Sequence, residues 1–179
     1  GANFDTVFSM LEPKNYPLGA FASEYMLIYS QQIAVNNIMK LFNEKKGGIY
    51  SVNGPPGTGK TTLLKDVVAG TIVERAKVLA TLKEDEIFER GVKLDGSQYP
   101  DFYPLNPKLK GFEIVVASCN NKAVENISAE LPKLDSVDKA YLSELDYFRI
   151  QATRLLSAGA LVECQKSQIP QPAWGLICA

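Results

Sequence analysis

The chain contains no histidine and only three cysteines. Without an imidazole, Ser-His-Asp and Cys-His catalysis are excluded, and so are metal centres built on histidine. Cys119, Cys164 and Cys178 are widely spaced, odd in number and without C-x-x-C pairing. They offer no zinc site and fit reduced thiols in a cytoplasmic protein. No apolar run is long enough to cross a bilayer, and no signal peptide or internal repeat is visible. Surplus charge is missing too. With 19 basic and 20 acidic residues the net charge is −1, which argues against a broad basic surface for nucleic acid. Any such contact must be local. The rest, 46% apolar and 22% charged over 179 residues, is the composition of one ordinary globular domain with a real core.

What is present is concentrated in Gly54–Thr62, which reads GPPGTGKTT and has the form G-x-x-x-x-G-K-[ST] of a phosphate-binding loop. A short β-prone run, Gly48-Ile-Tyr-Ser-Val-Asn53, precedes it, and apolar residues at helical spacing follow from Thr61. Strand, glycine loop and helix in that order are the setting the motif needs. Gly54, Gly57 and Gly59 let the backbone bend around phosphates and point N–H groups inward. Pro55 and Pro56 stiffen the crest beside Thr58, which lowers the entropy lost on closing. The helix starting near Lys60 aims its positive end at the same oxygens. Lys60 supplies a point charge for the β- and γ-phosphates. Thr61 supplies a hard oxygen for Mg²⁺, and Thr62 a further polar group near the α-phosphate.

Around the loop, the pattern predicts an irregular arm over 1–29 and a helix from Ser30, with Ala34, Val35, Ile38, Leu41 and Phe42 on one face. Gly47-Gly48 ends that helix. The helix after the loop runs to about Leu82, and the charged stretch Lys83–Arg90 reads as its solvated extension. Residues 91–110, rich in Gly and Pro, form a long surface connection. Phe112–Ala117 reads as a buried parallel strand, followed by a helix that Pro132 ends. A further helix is predicted over Asp138–Leu156, and Trp174–Ala179 reads as another core strand. Strands alternating with helices give an α/β fold with a mainly parallel sheet.

Three stretches in order resemble the first RecA-like domain of superfamily 1 helicases, most closely the branch of the nonsense-mediated-decay and Okazaki-maturation helicases. They are Gln31-Gln-Ile-Ala-Val35, GPPGTGKT, and Ala117-Ser-Cys-Asn-Asn-Lys-Ala-Val-Glu-Asn126. The first is similar to that superfamily's adenine-reading motif, and the resemblance implies that Gln31 pairs with the adenine edge. The third is similar to a segment that touches the backbone of a single strand. It implies nucleic-acid contacts at Ser118, Asn120, Asn121 and Lys122, with Glu125 where the family often has aspartate. So read, residues 30–179 are a partial RecA-like nucleotide-binding domain with a helical insertion at about 133–172. Its cofactors are ATP and Mg²⁺, and its partner is single-stranded DNA or RNA, bound weakly by this chain.

Hydrolysis also needs acids that hold Mg²⁺ and orient water, and arginines that offset charge. Glu84-Asp85-Glu86 has no strand before it, and Glu144-Leu-Asp146 falls inside a predicted helix. The expectation is therefore a piece of a larger ATP-dependent helicase or translocase that binds nucleotide without turnover. The alternatives are an AAA+ ATPase fragment, which shares GPPGTGKT but needs a strand ending in Asp-Glu, and a stand-alone nucleotide-binding module.

Overall fold

The computed structural model describes residues 4–45, 47–55, 57–93, 96, 102–119, 131 and 136–142. These fall into two compact units, one of residues 1–20 and 29–115, the other of 21–28 and 116–179. Among the described residues are three α-helices: α1, Phe4–Met10; α2, Tyr29–Asn43; and α3, Lys60–Ala80. The expected irregular arm therefore contains a helix, followed by a 3-10 turn at Pro13–Asn15.

In the first unit α2 packs along α3. The apolar face read from the sequence is the packed one. Val35 is fully buried and Ala34 nearly so, while Ile38, Leu41 and Phe42 are half-buried. The same stripe includes Asn36 and Met39, each 2% exposed. Asn36 is tolerated because its amide donates to the Met10 carbonyl at 2.7 Å and its oxygen accepts from Gln32 Nε2 at 2.8 Å. That pairing ties the end of α1 to α2. The buried positions of α3 are Leu63, Asp66, Gly70 and Thr71, one face at helical spacing. Gly70 sets the approach. A Cβ there would stand 3.0 Å from Met39 Cε and 3.1 Å from its sulfur, so its absence lets the two helices close. After α2, Lys45 adopts φ 52° and donates its N–H to the Phe42 carbonyl at 3.0 Å, a left-handed stop before Gly47.

The α/β fold with a mainly parallel sheet is not what the described residues form: they contain helices and turns but no β-strand. The two β-prone runs before and after the loop helix take no regular secondary structure, and Ile49 is 98% exposed and Val115 90%. Apolar alternation makes a strand only when a neighbouring backbone takes its hydrogen bonds, and no such ladder is formed here among the described residues. The third run, Trp174–Ala179, lies outside the described residues, as do most of the helices expected at 122–131 and 138–156.

The charged stretch after α3 also departs from expectation. It makes one 3-10 turn, Glu84–Glu86, with Lys83 N–H bonded to Glu86 Oε2 at 2.9 Å. The chain then straightens and pairs with the returning connection. Isolated antiparallel bridges join Phe88 to Leu105 and Val92 to Phe102, and Glu89 N–H donates to the Pro104 carbonyl at 2.7 Å. Phe88 stays 56% exposed, so backbone pairing, including Asn106 N–H to the Ile87 carbonyl at 3.0 Å, holds this arch. Leu109, 2% exposed, anchors the following 3-10 turn, Pro107–Leu109, which packs on α3. Beyond it Gly111 N–H donates to Glu113 Oε2 at 2.7 Å. The Glu113 backbone N–H, then that of Gly111, hold this carboxyl below its ordinary range, with a smaller contribution from Arg75.

In the second unit Phe21, Leu131 and Val137 are buried, and Asp138 N–H bonds to the Ala22 carbonyl at 2.9 Å. Asp138 also caps the 3-10 turn Lys139–Tyr141 through Ala140 N–H at 2.9 Å. Among the described residues, no helix is long and apolar enough to cross a membrane.

Candidate functional site

The candidate residues gather where the N-terminal ends of α2 and α3 meet. Gly57 and Gly59 take φ values of +80° and +74°, a conformation that L side chains rarely adopt. Gly59 is the N-cap of α3, so the left-handed turn delivers the chain directly into the helix. The first intrahelical bond is Leu63 N–H to the Gly59 carbonyl at 3.1 Å. The N–H groups of Lys60, Thr61 and Thr62 precede that ladder and point out along the positive end of a 21-residue helix. Such an end favours an anion.

Two side chains of the loop fold back on it. Thr58 Oγ1 donates to the Pro55 carbonyl at 2.8 Å, and Lys60 Nζ donates to the carbonyls of Gly54 at 2.6 Å and Pro55 at 2.8 Å. Lys60 and Thr61 are exposed and Thr62 is half-buried. An ammonium on neutral carbonyls at an exposed site exchanges readily for phosphate oxygens, which bind it more strongly. Pro56 lies outside the described residues.

Gln31, on the first turn of α2, reaches the same loop. Its Nε2 donates to the Thr58 carbonyl at 2.9 Å and to the Gly59 carbonyl at 3.4 Å. A Cβ on Gly59 would collide with that amide nitrogen. The structure thus brings together Gln31 and the phosphate loop, which the sequence separates by 27 residues. It also gives Gln31 a hold on the loop backbone that the sequence did not suggest. The acceptors are main-chain carbonyls, and no residue type advertises them.

Ser118 is exposed and belongs to the second unit, while Asn120, Asn121 and Lys122 lie outside the described residues. Thr61 offers the hard oxygen that Mg²⁺ prefers, at the second position of α3. Among the described residues no group of three or more His, Cys, Asp or Glu side chains is arranged to hold a metal ion.

Glycine turn, lysine and helix N-terminus point to the class of phosphate-loop nucleotide-binding proteins. Over 96 residues, 52% of its length, the chain is 32% identical to the DNA repair protein RadA of Helicobacter pylori (strain ATCC 700392 / 26695). It spans about a fifth of that relative, 21% of its length. The likeness supports a broad RecA-like superfamily and no branch within it. No family model matches the chain, and no solved structure matches it.

Proposed function

We propose that this chain binds Mg-ATP through Gly54–Thr62 and serves as the nucleotide-binding part of an ATP-driven helicase or translocase on single-stranded nucleic acid. The observation that carries the reading is the pair of left-handed glycines leading into α3, with Lys60 already gathered onto the loop. In this reading the N–H groups of the loop and of the first turn receive phosphate oxygens. Lys60 leaves the Gly54 and Pro55 carbonyls for the β- and γ-phosphates, and Thr61 contributes its hydroxyl to Mg²⁺. Gln31, which the resemblance assigns to the adenine edge, must release Thr58 to present both its donor and its acceptor. Ser118, Asn120, Asn121 and Lys122 carry the strand contact, and the name of the relative, a DNA repair protein, is in keeping with a nucleic-acid partner.

Calorimetric titration with Mg-ATP and Mg-ADP tests the loop. Lys60→Ala should weaken binding by at least about tenfold, as loss of a charge-assisted contact predicts. Equal affinity in the two proteins would refute the role given to Lys60. Hydrolysis by this chain should be negligible, because its sequence shows no apolar run ending in the Asp-Glu pair that hydrolysis needs. Turnover that disappears in Lys60→Ala would show that the acids are present after all.

A further inference from the structure

At the other end of α3 lies a cavity of about 570 Å³, within the range that takes a small organic ligand. Its walls come from the end of α2 (Leu41, Phe42), from α3 (Glu74, Val78) and from the chain at Pro107–Phe112, all within the first unit. Glu74 is fourteen residues beyond Lys60, which puts the cavity ~21 Å from the phosphate loop along the helix axis.

Three observations describe its chemistry. The first is an aromatic pair: Phe42 and Phe112 meet edge to face, inclined at 62° with ring centroids 5.6 Å apart. The second is an unbalanced charge. Lys45, Lys108 and Lys110 line the cavity against a single carboxylate, Glu74, and both oxygens of that group accept from Lys77 at 2.9 Å. Lys45 alone would be accounted for by the negative end of α2. Lys108 and Lys110 sit on a separate turn, and the nearby Glu113 carboxylate, which keeps its charge, does not line the cavity. The third is a fixed wall. Asn106 Oδ1 accepts from Lys108 N–H at 2.9 Å, its amide donates to the Glu86 carbonyl at 2.7 Å, and Leu109 is 2% exposed beneath it. Two lysines are therefore presented from a pre-organised turn beside an aromatic pair.

We infer that this cavity is a second ligand site, for a small organic anion with a flat ring, the ring against Phe42 and Phe112 and the anionic group between Lys108 and Lys110. The inference is independent of the nucleotide reading, and its test is arranged to keep the two apart. The probe is 2-naphthoate, a ring-bearing carboxylate without phosphate, titrated into the full chain and followed by amide chemical shifts and calorimetry. Saturable binding should perturb residues 41–47 and 107–112. Changing Lys108→Ala together with Lys110→Ala should weaken it by about tenfold or more, and Phe112→Leu by a few-fold. Neutral 2-naphthalenemethanol should bind at least about tenfold less tightly than the acid. Lys60→Ala should leave the affinity unchanged. No saturable binding at millimolar probe, binding indifferent to the two lysines, or binding lost in Lys60→Ala would each overturn the assignment.

Discussion

Gly57 and Gly59 share a backbone conformation but not a neighbourhood, and that difference can be measured. Alanine at either position pays for a left-handed φ, about 1–2 kcal/mol. At Gly57 nothing lies within 4 Å of the added methyl, whereas at Gly59 it meets the Gln31 amide. Urea unfolding should therefore show Gly59→Ala as the more destabilising change. Adding Gln31→Ala should recover part of that excess at Gly59 and nothing at Gly57. Glu113 gives a pH test at the same scale. Its carboxyl is held below the ordinary 4.5 by backbone N–H groups, so its contribution is present above that value. It is lost as pH falls through the lowered value. An NMR titration should place the Glu113 midpoint below 4.5, and Glu113→Gln should remove that part of the acid dependence. A midpoint at or above 4.5 would show that the turn does not hold it.

Helix α2 was legible because its apolar residues recur at helical spacing, and α3 because a glycine loop feeds a proline-free run with apolar residues at the same spacing. The polar member of the buried stripe was not legible. Asn36 reads as a surface residue until the Met10 carbonyl is placed against it. Asn36→Ala leaves that carbonyl without its side-chain partner, and a loss of about 1–3 kcal/mol is expected. Hydrogen exchange should show α1 opening more readily than α2 in the variant; equal protection would mean that α1 is held elsewhere. Lys83–Arg90 misled for the opposite reason. Its charges suggest a solvated helix, but Phe88 and Val92 find backbone partners in the returning chain that sequence distance conceals.

For the molecule as a whole, the site was more legible than the architecture. A phosphate loop is local chemistry, written in nine adjacent residues, and Gln31 reaches it as a neighbour. A parallel sheet is a non-local structure, and the two described runs that suggested one form no strand. Their exposed side chains have a cost. Ile49 and Val115 present apolar surface to solvent, which promotes association as concentration rises. Replacing both by lysine should lower light scattering at high concentration while changing unfolding free energy by no more than about 0.5 kcal/mol each. A large loss of stability would reveal that these side chains are packed.

The crossing of the two long helices rests on the thioether of Met39 against a residue with no side chain. A sulfur so placed is shielded from peroxide while the protein stays closed, but each opening of the pair exposes it. Conversion to the sulfoxide sets a bulky polar group in a gap that admits neither its size nor its polarity. Peroxide should therefore reach the thioether of Met26, 92% exposed, first, and the joint between the two rods only as the pair opens.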